Sequence, residues 1–207
     1  MNTDFRKLFT QRDILSENNF YLIKKRKKIV LFVPDSHAEK VYSAMSAAGA
    51  GVIGKYSGCS FRTNGTGTFI PGKTADPFSG KRGKVSFEKE IKLEMECCSE
   101  KIPAIIESML RCHPYEETAY EIYDFIKLED KVNGKVFSFK KGIKVKNVFE
   151  KINKRITVDI PEADIKLGKL LVTDLTFNNG LSESAKYFDI KYILTIKENN
   201  FKLINLI

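Results

Sequence analysis

The sequence predicts an α+β protein: a ferredoxin-like βαββαβ module with a smaller α/β C-terminal segment. Between residues 29 and 130, strand and helix signals follow the order strand, helix, strand, strand, helix, strand, which is that of a ferredoxin-like split. A turn signal, Asn133-Gly134, then marks a boundary, and weaker alternating signals follow it. We therefore divide the 207 residues into an N-terminal extension (1–28), the module (29–130) and the C-terminal segment (131–207).

The module begins with a strand and a helix. Ile29–Val33 is a short apolar run ended by Pro34, which indicates a buried strand. Ser36, followed three residues later by Glu39, fits a capping box, and Gly49 supplies a stop, so we expect a helix of about twelve residues between them. Its apolar residues recur at helical spacing: Val41, Ala44, Met45 and Ala48.

A strand over Val52–Thr63, a glycine-rich loop over residues 65–83 and a third strand over Lys84–Cys97 follow. The third strand alternates almost completely, which is typical of a half-buried strand. Its apolar face carries Val85, Phe87, Ile91, Leu93, Met95 and Cys97, and its other face carries Lys84, Glu88, Glu90, Lys92, Glu94 and Glu96.

The module closes with a second helix and a fourth strand. Apolar residues at helical spacing from Ile102 to Leu110 predict the helix, with Ser99 as its cap. Pro103 is tolerated in its first turn and Pro114 stops it. Ala119–Leu128 is the last strand.

The flanking regions carry weaker signals. In the N-terminal extension, five apolar residues indicate one short helix: Phe5, Leu8, Phe9, Ile14 and Leu15. In the C-terminal segment we expect, in order, a short strand from residue 135, a helix over Val145–Ile152, a strand over Lys169–Phe177, a helix near Ser182–Tyr187 and a strand over Tyr192–Ile196.

Composition places the chain among ordinary soluble proteins, with 43% hydrophobic and 29% charged residues. No apolar run reaches the ~18 residues of a membrane span, and the N-terminus lacks a signal-peptide core. We therefore expect a cytoplasmic protein with no membrane partner. The cysteines show no CxxC spacing, so we interpret them as reduced, structural thiols: Cys59, Cys97, Cys98 and Cys112.

The net charge of +9 is unevenly distributed. Residues 1–28 carry +5, residues 29–130 carry −3 and residues 131–207 carry +7. The basic run Lys24–Lys28 could bind phosphate groups or could simply be a solvated entry to a strand. Because the basic charge lies outside the module, nucleic acid is the least favoured partner.

The most distinctive stretch combines glycines with a short polar motif. Seven glycines lie between residues 49 and 72, and His113-Pro114-Tyr115-Glu116-Glu117 follows about forty residues later. The joint pattern, GAGVIGKYSGCSFRTNGTGTFIPG and then HPYEE, resembles the PII/CutA-like module of the Nif three-like family (NGG-one-interacting factor three, YqfO-like). The tract after residue 131 resembles the C-terminal part of the same family more weakly.

The resemblance implies a PII/CutA-like form of the ferredoxin-like fold and a homo-oligomer, a trimer or a hexamer. Full-length members are often described as type 2 GTP cyclohydrolase homologues, a hydrolytic role that depends on a metal centre. This sequence departs from that pattern, because it has Ile196–Phe201 where the family has its metal-binding turn and contains only His37 and His113. Several imidazole and carboxylate ligands would have to converge for such a centre, so the resemblance implies the fold more strongly than the activity.

Topology suggests one cluster of polar residues. In a βαββαβ module the turn before the first helix, the glycine-rich loop and the end of the second helix share one end of the sheet. We therefore expect His37, His113 and Glu116 to hold a divalent metal ion there. The alternative is that His113 and Pro114 only end the helix while the carboxylates are solvated or pair with lysines. The ligand-binding candidates at the same end are Gly65, Thr66, Gly67, Tyr115 and Glu117.

These observations favour a non-catalytic binding or regulatory protein, with a metal ion or an unidentified small ligand at that end of the sheet. Gly65-Thr66-Gly67 does not open a helix and is therefore neither a P-loop nor a dinucleotide fingerprint. Cys59 and Ser60 have no histidine at known reach, so we assign no catalytic residue. The competing hypothesis is a metal-dependent hydrolase acting on a nucleotide.

Overall fold

The computed structural model describes residues 8–152, 165–197 and 200–206. These residues form two compact units, one of Lys25–Lys127 and the other of the described residues before and after that range. The strands are β1 (Ile14–Phe20), β2 (Ile23–Pro34), β3 (Ser60–Phe69), β4 (Ser86–Cys97), β5 (Tyr120–Leu128), β6 (Gly134–Lys144), β7 (Lys166–Thr173), β8 (Tyr192–Lys197) and β9 (Asn200–Asn205). The helices are α1 (Ala38–Ala47), α2 (Ile102–Cys112), α3 (Val145–Ile152) and α4 (Asn179–Tyr187).

The unit of residues 25–127 has the predicted ferredoxin-like architecture. Its elements follow the order β2, α1, β3, β4, α2, β5, and its sheet has the strand order β3-β4-β2-β5. Strand β4 is antiparallel to both β2 and β3. The ferredoxin-like fold class is thus confirmed.

One face of this sheet is the core. Alternate residues of β2 and β4 point to α1 and α2, because side chains of a strand alternate between its two faces. The side chains that form this core are buried almost completely: Ile29, Leu31, Val33, Val41, Met45, Leu93, Met95, Ile105 and Met109. The second helix has its predicted apolar face except at its last turn, where Leu110 is exposed.

Both helices begin differently from the prediction. Ser36 and Ser99 each lie in a 3-10 turn that precedes the helix, and neither α1 nor α2 has a side-chain cap. The capping predictions for these two serines are therefore wrong. In both helices a 3-10 turn, which is common at helix N-termini, stands where the side-chain cap was expected. Pro103 lies in the first turn of α2, as predicted.

Strand β3 and its surroundings also differ from the prediction. The strand begins at Ser60, and the residues before it form a loop in which Gly51, Gly54 and Gly58 have positive φ. Residues 65–69 belong to this strand, which pairs with β4 as far as Phe69, so the glycine-rich loop starts at residue 70. The hairpin therefore includes residues 65–69 of the expected 65–83 loop, and the loop itself joins Phe69 to Ser86.

The second unit is a five-stranded sheet with the order β1-β6-β7-β8-β9. Strands β7 and β8 are parallel, with α4 between them in the chain. Apolar side chains cover both faces, including Phe137 and Leu170 in one cluster and Val136 and Leu171 in the other. Helix α3 has the predicted bounds, and β9 is an element that the sequence did not predict.

The helix predicted in the N-terminal extension is wrong over the residues that the structure describes. Residues 11–13 form a 3-10 turn and Ile14–Phe20 form β1, which is antiparallel to β6. Pairing with a strand more than 110 residues away overrides the local spacing of apolar residues. Phe5 of that prediction lies outside the described residues. Over the described residues, no helix has the length and apolarity to cross a membrane.

Candidate functional site

A cavity of about 610 Å³ lies on the face of the four-stranded sheet opposite the helices. Its floor is the pairing of β3 with β4, its rim on one side is the loop after β3, and its rim on the other side is residues 115–119. All five predicted ligand-binding residues line it: Gly65, Thr66, Gly67, Tyr115 and Glu117. That they bind a ligand stays a prediction, but the structure places them together.

The two glycines of β3 shape the floor. Gly65 is paired with Glu90 and Gly67 with Glu88, so both lie on the same face of the hairpin as these glutamates. A Cβ atom on Gly67 would lie 2.6 Å from Cδ of Glu90, whereas one on Gly65 would meet nothing closer than 4.0 Å. The absence of a side chain at Gly67 therefore lets the Glu90 carboxylate fold over the strand.

Glu90 and Tyr115 form the polar centre of the cavity. Glu90 is only 9% exposed, and Tyr115 donates its hydroxyl hydrogen bond to Oε1 of Glu90 at 2.7 Å. Burial, followed by this hydrogen bond and the nearby carboxylate charge, raises the pKa of Tyr115 well above its ordinary value. Tyr115 therefore keeps its proton and donates it in the hydrogen bond to Glu90.

His113 links the backbone of Tyr115 to strand β2 through its two ring nitrogens. The backbone N–H of Tyr115 donates to its Nδ1 at 3.2 Å, so the ring proton is on Nε2, which donates to the carbonyl of Phe32 at 3.0 Å. Burial lowers the pKa of His113 below its ordinary value, although the bond to Phe32 opposes this effect. His113 is therefore a neutral imidazole that positions Tyr115 relative to β2.

The loop after β3 is tied to the opposite rim. Glu116 accepts hydrogen bonds from the backbone N–H of Asp76 at 3.0 and 3.1 Å, and Arg82 donates to the carbonyl of Ala75 at 2.7 Å. Five rings form one connected cluster beside the cavity: His37 contacts Phe78, and Tyr115 contacts Phe78, Phe69 and His113. These contacts fix the loop after β3 against residues 113–116, and together they form one wall of the cavity.

The predicted metal ligands lie at the same end of the sheet but do not form a recognisable metal centre. The described residues contain no group of three or more His, Cys, Asp or Glu side chains that could hold a metal ion. Both ring nitrogens of His113 are engaged, Nδ1 of His37 lies 3.0 Å from the hydroxyl of Ser36, and Glu116 bonds to the loop. Metal binding by these three residues stays a prediction that this arrangement does not favour.

Sequence reasoning missed three parts of the cavity. Glu90 lies on the face predicted to be solvated, although it is buried. Phe32 and Ser79 also line the cavity, and the Ser79 hydroxyl is buried without a hydrogen-bond partner in the described part of the chain. The signal that could have predicted the burial of Glu90 is its pairing with a glycine, and that pairing is known only once the register of β3 and β4 is known.

The basic run Lys24–Lys28 lies in β2 and is largely paired with carboxylates. Arg26 bonds to Glu96 at 2.8 Å and Lys28 to Glu94 at 3.1 Å. Lys24 and Lys27 pair with acidic residues as well. The run therefore does not present a free cluster of positive charge.

Sequence comparison finds relatives for about half of the chain. It is 44% identical over 96 residues, 46% of its length, to a Halalkalibacterium halodurans protein named GTP cyclohydrolase 1 type 2 homolog. It is 42% identical over 97 residues to the Bacillus subtilis protein of the same name. Each match spans about a quarter of the relative's length, 26% in both cases.

Structure comparison finds a Bacillus cereus protein related to NIF3, with 26% identity and a TM-score of 0.45, which covers 92% of this chain and 51% of that chain. No family model matches the sequence. Over about half of its length, the chain is therefore similar to a segment of proteins named GTP cyclohydrolase 1 type 2 homolog.

Proposed function

We propose that the protein is a non-catalytic binding or regulatory protein that takes up a small ligand in the cavity over Gly65 and Gly67. One observation carries this proposal: a cavity of ligand size with mostly apolar walls and a few converging polar groups. Those polar groups are the Glu90 carboxylate and the Tyr115 hydroxyl. The described residues gather no group of three or more His, Cys, Asp or Glu side chains that could hold a metal ion there.

Ligand-observed NMR with a library of small aromatic compounds tests the proposal. Gly65→Leu is the informative variant, because position 65 lines the cavity and its added side chain would enter open space. Gly72→Leu is the matched control, since Gly72 has no atom within 4 Å of an added Cβ and does not line the cavity. Compounds that bind the wild type and the control but not Gly65→Leu support the proposal. Equal binding by all three proteins contradicts it.

The same proposal includes a homo-oligomer formed through the module's sheet edge. Strand β5 is at one edge of that sheet and exposes apolar side chains: Tyr120, Ile122 and Tyr123. Exposed edge strands with apolar side chains tend to pair with another chain. Light scattering should give a multiple of the 23.6 kDa chain mass, and Ile122→Lys should shift it toward the monomer. A wild-type monomer at micromolar concentration contradicts this part.

The second candidate is a metal-dependent hydrolase acting on a nucleotide, favoured by the name of the relatives. It would need ligands beyond those that the described residues gather. Elemental analysis and a GTP turnover assay on the purified protein decide between the two candidates. Tightly bound transition metal together with turnover that His113→Ala abolishes would replace the binding proposal.

A further inference from the structure

The charge of the cavity is unbalanced around Glu90. Its Oε1 accepts the hydrogen bond from Tyr115, whereas its Oε2 receives no hydrogen bond from the described residues and is not fully shielded from solvent. No described Lys or Arg forms an ion pair with it either. A mostly buried carboxylate that lacks a cationic partner would therefore gain a charge-assisted hydrogen bond from a donor that enters the cavity.

The neighbouring charged groups do not supply that partner. Lys92 also lines the cavity but pairs with Glu94 at 2.8 Å. Lys89 lies on the opposite face of the strand, since residues 89 and 90 alternate. His113 is neutral because of its burial and hydrogen bonds, and the remaining charged groups on the lining, Glu116 and Glu117, are carboxylates.

The apolar wall next to Glu90 is aromatic. The ring centroid of Tyr115 is 5.9 Å from that of Phe78 and 6.5 Å from that of Phe69, and all three rings line the cavity. Ring faces attract cations and stack with flat apolar groups.

From the buried carboxylate and the aromatic wall we infer that the cavity selects an organic cation: a flat apolar body with a protonated amine or guanidinium group that donates to Glu90. This inference rests on the proposed function and adds the chemical class of the ligand. Glu90 is the specificity-determining residue, Tyr115 positions its carboxylate, and Gly67 leaves the space that the carboxylate occupies.

Three indole compounds of matched shape test the inference by calorimetry near neutral pH: tryptamine (a cation), tryptophol (its neutral hydroxyl counterpart) and indole-3-propionate (an anion). We expect tryptamine to bind at least about tenfold more tightly than tryptophol, as for a hydrogen bond to a charged group, and indole-3-propionate to bind most weakly. This comparison uses the wild-type protein alone, so it does not depend on any variant folding.

Two variants assign the effect to one carboxylate. Glu90→Gln should reduce the affinity for tryptamine to the level of tryptophol and leave the affinity for tryptophol unchanged. Glu88→Gln is the matched control, because Glu88 lies on the same face of the strand but does not line the cavity, and it should keep the wild-type order.

The possible failures are distinguishable. If all three compounds bind equally and Gly65→Leu abolishes their binding, the cavity binds ligands but the preference for cations is wrong. If indole-3-propionate binds best, the inference is likewise overturned. If no compound binds up to its solubility limit, both the preference for cations and the proposal that the cavity binds aromatic compounds are overturned.

Discussion

The two halves of strand β4 carry the same alternating pattern, but the apolar side chains of one half are buried and those of the other half are exposed. From Ile91 to Cys97 every second side chain is buried against α1 and α2, with Leu93 and Met95 each 1% exposed. Toward the start of the strand the same face carries Phe87, which is 70% exposed. The helices therefore bury only the part of this face from Ile91 to Cys97 and leave Phe87 as surface. The cavity lies on the opposite face of the sheet, over the pairing of residues 63–69 with β4. An alternating strand predicts its faces but not how far along its length each face is covered.

The largest expected difference between the halves is in stability. Leu93→Ala and Phe87→Ala each remove a large apolar side chain from the same face of one strand. We expect Leu93→Ala to lower the free energy of unfolding by about 2–5 kcal/mol, because it leaves a cavity in the core. Phe87→Ala should change it by about 0.5 kcal/mol or less. Urea unfolding of both variants measures the difference, and equal losses would show that the outer half is buried in solution.

A second expected difference concerns His113 and pH. Its folded-state pKa is lowered by burial, so as pH falls below ~6.5 the unfolded chain binds the proton first. The stability that the neutral imidazole contributes is therefore fully present above ~6.5 and is lost as pH falls through the lower folded-state pKa. His113→Gln should cost about 1–3 kcal/mol near neutral pH, where it leaves a buried backbone group without a partner.

The gap between wild type and His113→Gln should shrink as the pH is lowered. Urea unfolding at several pH values measures it, and His37→Gln serves as the reference for a histidine removed from the same end of the sheet. A gap that widens in acid would mean that the charged imidazole is the favoured form, as expected for a histidine that merely ends a helix.

The smallest expected effect separates the two glycines of the floor. Gly67→Ala should displace the Glu90 carboxylate and weaken its hydrogen bond to Tyr115, which costs about 1 kcal/mol. Gly65→Ala adds the same methyl group to the same strand face in open space and should cost less than about 0.5 kcal/mol. Thermal unfolding of the pair measures this, and identical melting temperatures would argue against the position of Glu90 over Gly67.

The sequence predicted what depends on local pattern and missed what depends on register. The apolar spacing of α2 and the alternation from Ile91 to Cys97 are local, and both are confirmed. The burial of Glu90 depends on Tyr115, 25 residues away, and on a glycine of the neighbouring strand, so alternation alone placed it in solvent. Likewise, Ile14–Phe20 is a strand only because β6 pairs with it. Topology predicted that residues 115–117 would lie near residues 65–67, but it did not predict that Gly65 and Gly67 lie within a strand.

Amide chemical-shift mapping by two-dimensional NMR tests the central claim most directly. The isotope-labelled protein would be titrated with tryptamine, and the shifts compared between the floor of the cavity and the packed half of the hairpin. The account predicts the largest shifts at Gly65, Gly67 and Tyr115, with small shifts at Leu93 and Met95. Saturable shifts confined to residues outside the cavity, or no saturable shifts at all, would contradict it.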